Sequence, residues 1–278
     1  MTSPRRYPSD LSDAEWELIE PLIPAPRSGT PKGGRPAAPR RDVIDAIMYV
    51  VRTGCSWRQL PRDFPAWQTV YGCFWAWAHD GTLEVVHDSL RTRVREAEGR
   101  DPEPSSGIID AQTVRASDTV GAATRGWDGA KKTNGRKRHL VVDTIGLMLA
   151  LVVTAASVQD RDGGQIVAEE AVEGHRRLIK MWADGGYAGR LVAWIHEHLG
   201  LDFEIVHKRE GQHSFEVLPR RWVVERTFAW ITKCRRLIAD HERTLEHSAA
   251  MVTWAMIGLM SRRLARRVST DVTPYNWA

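Results

Sequence analysis

The hydrophobic pattern of this 278-residue chain changes period once, across residues 96–106, where Glu, Gly, Pro and Ser dominate. Before that segment, apolar residues recur at helical spacing. Val43, Ile47, Val50 and Val51 share one face, the pattern breaks at Gly54, and short helices are expected around Trp57–Leu60 and from Trp67 onward. After it come apolar runs of strand length at 107–114, 138–143 and 148–155, the last two joined by an Asp143-Thr-Ile-Gly146 turn as a hairpin. Helices are expected at 165–178, 192–199 and 219–238, alternating with strands at 178–183 and 203–207. The order is three strands, helix, strand, helix, strand, helix, an α/β layered domain with hairpin strands first and crossover strands afterwards.

The expected organisation is a helical domain over 1–95, an α/β domain over 106–268 and a tail over 269–278. Ser12 with Glu15 three residues on forms a capping-box signature ahead of Trp16, Ile19 and Leu22. Residues 24–40, rich in Pro and Gly with several basic residues, read as a linker able to lie along a phosphate backbone. The order of helix, turn, Ser56-Trp-Arg-Gln-Leu60, Pro61 and a further helix rich in Trp and Tyr permits a helix-turn-helix; a plain helical bundle with its aromatics in the core reads equally well.

A 42% hydrophobic content can fill a core, but the longest apolar stretches, near 147–153 and 251–260, fall short of the ~20 residues that span a bilayer. No membrane partner is expected. Pro8, Asp10, Asp13 and Glu15 stand where a signal peptide would be apolar, and Cys55, Cys73 and Cys234 form no C-x-x-C pair, so a cytoplasmic chain with reduced, buried thiols is expected. Any metal should then sit on carboxylates. The net charge of +4 is uninformative, but residues 218–268 carry eleven Lys or Arg against four acids, a local excess that favours a polyanion.

Two acids stand in strand positions: Asp110 inside Ile108-Ile109-Asp110-Ala111, and Asp184 after Met181-Trp182-Ala183. An ionised carboxylate buried there needs a cation, a metal or strong donors; the alternative is an acid at a strand end acting as a cap. On the helix from 219, Arg221, Glu225, Thr232 and Arg236 share one face and Val224, Phe228, Ile231 and Ile238 another. The polar face can look into a cleft or form intrahelical salt bridges. Lys131, Lys132, Arg136, Lys137, Arg138 and His139 read as a dense basic loop ahead of the second strand, suited to DNA phosphates or else a solvated charge run. Asp118, Asp128, Asp143, Asp160 and Asp162 are rival metal acids, with Asp160-Arg-Asp162-Gly read as a turn or cap. Of the twelve Trp, one or two could stack on unpaired bases, with core packing the default for each.

Several strings resemble the insertion-sequence transposases of family five, within the DDE class. They are Leu11-Ser-Asp-Ala-Glu-Trp-Glu-Leu-Ile-Glu-Pro-Leu-Ile-Pro24, Thr53-Gly-Cys-Ser-Trp-Arg-Gln-Leu-Pro61, Lys131-Lys-Thr-Asn-Gly-Arg-Lys-Arg-His139, Ala183-Asp-Gly-Gly-Tyr187 and Arg221-Trp-Val-Val-Glu-Arg-Thr-Phe-Ala-Trp230. The resemblance covers nearly the whole chain. It implies a ribonuclease H-like fold, a mixed sheet flanked by helices behind an N-terminal helical DNA-binding domain. It also implies a catalytic and metal-binding triad of Asp110, Asp184 and Glu225, with 73 residues between the first two and 40 between the last two. The second gap is too short for the large strand insertion of some relatives. The related family-four signature has Tyr where this chain has Leu218 and Lys where it has Thr232; Arg221 and Glu225 match, and Lys233, displaced by one residue, is a possible phosphate contact.

The function so implied is a bacterial, nucleoid-associated enzyme that binds double-stranded DNA at transposon ends, cleaves it hydrolytically with two Mg²⁺ (or Mn²⁺) ions, and joins the 3′ ends to target DNA. A homodimer or higher oligomer on DNA is expected, because one triad engages one scissile phosphate at a time. Two other readings remain open at this point: an inert domesticated DNA-binding protein, and a metal-dependent nuclease without strand transfer.

Overall fold

The computed structural model describes residues 5–25, 36–206 and 220–271, with side chains to residue 267. Part of the Pro/Gly-rich linker, Leu218 and most of the expected tail lie outside the described residues. The chain divides into two compact units. One comprises the described residues up to Pro102 with 234–237 and 250–271; the other comprises 103–206, 220–233 and 238–249. The expected boundary differed, continuing the α/β domain to residue 268.

The first unit is helical. Helix α1 (Asp13–Ile19) opens with the expected capping box: Ser12 accepts from the Glu15 amide, and Glu15 accepts from the Ser12 amide. Helix α2 (Arg40–Thr53) stops at Gly54, whose φ of 77° is the left-handed cap for which glycine is suited. A short 3-10 turn (Trp57–Gln59) leads to α3 (Trp67–Trp77) and α4 (Thr82–Ala97). Ile44, Ile47, Val70, Phe74, Val86 and Leu90 are buried, as are Trp254 and Ile257 of the long α8 (Leu245–Asp271), which contributes to this unit from Ala250.

The second unit is built on β1 (Ser106–Arg115), β2 (Gly126–Asp128), β3 (Thr133–Asp143), β4 (Met148–Ala155), β5 (Lys180–Ala183) and β6 (Asp202–Ile205). β3 runs antiparallel to β1 and β4 antiparallel to β3, while β5 and β6 join β1 in parallel, giving the order β4-β3-β1-β5-β6 with β2 also paired to β3. This mixed order is ribonuclease H-like. Helices α5 (Asp160–Gly174) and α6 (Arg190–Leu199) cover one face, where Ile109, Val141, Val167, Met181, Ala183, Leu191 and Ile195 form the core. Helix α7 (Arg221–Thr232) packs on β1 and β3 through its buried Val223, Val224, Thr227, Phe228 and Ile231.

Two expectations are corrected. The basic run over 131–139 is not a loop: from Thr133 it is strand, and Arg136, Lys137, Arg138 and His139 are buried while Lys131 and Lys132 stay exposed. Arg136 is neutralised by Asp240 at 3.1 Å and donates to the carbonyls of Glu242, Arg243 and Thr244. Lys137 is held by Asp160 at 2.8 Å and the Val158 carbonyl, and His139 reaches Thr154. The second correction concerns α7, which ends at Thr232 rather than near residue 238. Arg236 therefore leaves the Glu225 face and donates instead to the Cys55 carbonyl, and Ile238 is exposed. The three cysteines are free thiols as expected, but half-buried rather than core residues.

Candidate active site

Strand alternation sets the two aspartates on one face. Ile109, Met181 and Ala183 point into the core under α5 and α6, so Asp110 and Asp184, of opposite parity, face the other side. The parallel register pairs Ile108 with Trp182, and two residues further along each chain stand Asp110 and Asp184. Asp110, midway along β1, thus stands level with Asp184, which follows the last residue of β5.

Glu225 stands on α7, linked to Asp184 through Arg221, and the hairpin between β3 and β4 positions that helix. Thr227 Oγ1 donates to the Gly146 carbonyl at 2.8 Å and Arg226 to that of Ile145 at 3.0 Å. Gly146 has φ of 85°, and a Cβ there would stand 2.8 Å from Thr227 Oγ1, so glycine is needed for both its conformation and the close approach. With that side of α7 fixed, Glu225 is exposed on the opposite side. Arg221, one turn earlier, ties the acids together: its guanidinium is 3.5 Å from Asp184 and 3.4 Å from Glu225.

Asp110 is largely desolvated. Burial, then the charges of Asp184 and Glu225, push its carboxyl up to about 7 against the opposing pull of the Ala111 amide and Arg221. Asp184 caps the turn that follows it, accepting from the Gly186 amide at 2.8 Å. Asp184 and Glu225 share the Arg221 guanidinium, whose charge also acts on Asp110, so one cation serves three acids. Among the described residues no three His, Cys, Asp or Glu side chains converge closely enough to ligate one ion, and Arg221 bridges Asp184 and Glu225 instead. The donor set nonetheless fits a divalent cation: three hard oxygen ligands, one of them buried with too little positive charge beside it.

Three of the five rival acids have partners of their own. Asp143 caps the hairpin turn through the Ile145 and Leu147 amides, and Asp128 accepts from Thr113 and the Ala130 and Lys131 amides. Asp160 pairs with Lys137. His139 is unsuited to proton transfer at neutral pH, because burial and then Lys137 lower its pKa to about 4. Lys233 is exposed just past α7.

Two features of the site escaped sequence reading. The Tyr187 hydroxyl is buried without a hydrogen-bond partner among the described residues, and burial first, then the charges of Asp110, Asp160 and Asp184, raise its pKa. Its place in Ala183-Asp-Gly-Gly-Tyr187 was the available signal. Beside Asp184, an open cavity of about 360 Å³ is lined by Trp127, Lys137, Asp160, Arg161 and Gly186, with Trp127 exposed on an edge strand too short to be read from periodicity.

Residues 101–260, more than half of the chain, match the family model described as "Transposase DDE domain". The chain belongs to the DDE transposases. Residues 11–87 match a second model, "Putative transposase of IS4/5 family (DUF4096)". The transposase is 30% identical over 118 residues to the "Insertion element IS402 uncharacterized 16.2 kDa protein" of Burkholderia cepacia, an alignment covering 41% of this chain and 77% of that protein. It is 31% identical over 125 residues to the "Putative transposase for insertion sequence element IS402" of the same organism, covering 42% of this chain and 59% of that one. Among solved structures, the Mos1 strand transfer complex aligns with 88% of this chain and 82% of that chain at 14% identity, with a TM-score of 0.30, too loose a superposition to argue from. Membership of this family makes the protein a DNA transposase dependent on divalent metal. No described helix is long and apolar enough to cross a membrane.

Proposed function

We propose that the transposase binds the terminal inverted repeats of its insertion sequence, hydrolyses the phosphodiester backbone there and joins the freed 3′ ends to target DNA. The observation supporting this reading is the register-matched placement of Asp110 and Asp184, with Glu225 linked to Asp184 through Arg221. In it these three acids are the catalytic residues and hold two Mg²⁺ ions, or Mn²⁺ in their place. When bound, such ions lower the pKa of water and stabilise charge on a phosphate undergoing in-line displacement.

The chain's own residues orient the substrate. Asp110 ionises fully once positive charge stands beside it, because its raised pKa reflects burial among like charges. Arg221 carries a planar fork of donors that matches phosphate oxygens as well as carboxylates, so it transfers from its two acids to a DNA phosphate. Exposed Lys131, Lys132 and Lys233 contact the backbone. The buried Arg136, Arg138 and His139 shape the sheet instead. The helical unit reads the DNA ends, and two or more copies assemble on them, since both ends must be cut and joined to one target. The site of action is the bacterial cytoplasm, at the nucleoid.

A supercoiled plasmid carrying one element end tests the assignment. Asp110→Asn, Asp184→Asn and Glu225→Gln should each reduce Mg²⁺-dependent nicking to background while leaving end binding nearly intact. Nicking at near wild-type rate by any one of them removes that residue from the site. Mixing wild-type with Glu225→Gln protein tests the assembly: complexes cut at one end only are expected, and cleavage of a single end by an isolated monomer would refute it.

A further inference from the structure

Packing accounts for the ring of Tyr187 but not for its hydroxyl. Tyr187 ends the 3-10 turn Gly185–Tyr187 that Asp184 caps, and at 1% exposure it belongs to the core under α5 and α6. The fit is tight. A Cβ at Gly164 of α5 would stand 2.7 and 2.9 Å from the ring carbons Cε1 and Cδ1, and 3.3 Å from Leu191 Cδ2 of α6. Glycine at 164 makes room for the ring, and the close packing holds it in one place. Phenylalanine would fill the same slot without burying a hydroxyl that has no hydrogen-bond partner among the described residues. A buried donor left unpaired disfavours the fold, so this oxygen calls for an acceptor that the metal-free chain does not supply.

The surroundings of the hydroxyl are acidic. A Cβ at Gly186, inside the same turn, would stand 2.9 Å from Asp184 Oδ1 and 3.9 Å from Asp160 Oδ2, so both carboxylates flank the turn that carries Tyr187. Burial first, then the charges of Asp110, Asp160 and Asp184 in that order, hold the phenol above its ordinary pKa, so Asp110 is the acid that acts on it most strongly. Asp160 is already held by Lys137 at 2.8 Å, and Asp184 by the Gly186 amide and Arg221. Asp110 accepts one hydrogen bond among the described residues, to Oδ1 from the Ala111 amide at 2.8 Å, which leaves its second oxygen without a donor. We propose that Tyr187 is a positioning residue of the cation site, its hydroxyl donating to Asp110 when that carboxylate binds a divalent cation and so fixing the carboxylate's rotation. This rests on the reading of Asp110, Asp184 and Glu225 as one such site. The last torsion of an Asp side chain is broad, so a carboxylate tied at one oxygen must still be ordered as it binds. Donors that hold a metal's ligands in this way raise its affinity about 10- to 100-fold.

The test uses the full chain without DNA, so that no contact to phosphate contributes. Mn²⁺ affinity is followed by electron paramagnetic resonance, and unfolding by thermal melting in the presence of a chelator. Tyr187→Phe keeps the ring and should weaken Mn²⁺ binding about tenfold or more. In chelator the same variant should melt no lower than wild type, because the hydroxyl it loses has no partner there. A hydroxyl that only supports the fold would do the reverse, lowering the melting temperature and sparing the affinity. A lower melting temperature in chelator would therefore show that the hydroxyl is already paired, and would overturn the proposal. So would a matching loss of affinity in Asp160→Asn, which would make Asp160 the acceptor. Wild-type affinity in Tyr187→Phe beside weakened binding in Asp110→Asn would refute the positioning role alone, leaving the hydroxyl to a buried water or to DNA. Wild-type affinity in Asp110→Asn would instead refute the cation site as read, and the role of Tyr187 with it.

Discussion

Two Arg-bearing stretches of the second unit have opposite fates. In β3, Arg136, Lys137 and Arg138 are buried and their charges are spent inside the fold: Arg136 on Asp240, Lys137 on Asp160 and Asp128. In α7, Arg221 stays partly exposed and is shared loosely between Asp184 and Glu225 at 3.5 and 3.4 Å. The denser stretch looks the more suited to DNA, yet it is the sparser one that remains available. What differs is the partner. Arg136 has one carboxylate and a fan of fixed carbonyls that leave its donors no reason to move. Arg221 holds two acids apart without satisfying either, a contact that a phosphate or a metal ion can displace.

Removing the buried cation should have the largest effect. Arg136→Ala leaves Asp240 buried without its counter-ion and should cost about 3–5 kcal/mol of stability, measured by urea denaturation. A loss under about 1 kcal/mol, within the range of an exposed pair, would erase the contrast between the two stretches.

Next is the pH dependence at Asp110. Its folded-state pKa of about 7 lies above the ordinary carboxylate value, so between roughly pH 4 and 7 the folded state holds more protons than the unfolded one. Stability of the metal-free protein should therefore fall as pH rises through that window. Asp110→Asn should melt higher than wild type at pH 8, by at most about 4 kcal/mol in stability, and the gain should shrink toward zero near pH 4. A gain independent of pH would mean that desolvation of the carboxylate is not its source.

The smallest effect belongs to Lys131 and Lys132, the two members of the basic run that remain exposed. Replacing either with Ala should leave stability within about 0.5 kcal/mol, weaken binding to all DNA alike, and lower the salt slope by about one. An unchanged slope would remove them from the interface.

Much of this was legible in the residues, for identifiable reasons. β4 falls on Met148–Ala155 as expected, and the Ser12–Glu15 box forms, because both are local patterns with little competition. The strand bearing Asp110 was readable because Ile108 and Ile109 announce burial beside a residue that resists it. The start of β3 was not, since its charged residues mask any strand period; they are tolerated inside only because Asp240, Asp160 and carbonyls far along the chain receive them. Helix α5 begins at Asp160 rather than 165, so the Asp160-Arg-Asp162-Gly stretch that reads as a turn or cap is its first turn; Gly163 and Gly164 are where His139 and Tyr187 press against it, and a Cβ at Gly163 would stand 2.1 Å from His139. The triad followed from resemblance to a family. The level placement of Asp110 and Asp184, each two residues on from Ile108 and Trp182, appears only once β1 and β5 are paired.

The central claim is that Asp110, Asp184 and Glu225 form one cation site, and Mn²⁺ titration followed by electron paramagnetic resonance tests it most directly. Asp110→Asn, Asp184→Asn and Glu225→Gln should each weaken binding at the same site about tenfold or more, while Asp160→Asn, whose carboxylate serves Lys137, should leave it unchanged. Undiminished Mn²⁺ affinity in Glu225→Gln, together with a loss in Asp160→Asn, would contradict the account and move the site to the other side of Asp184.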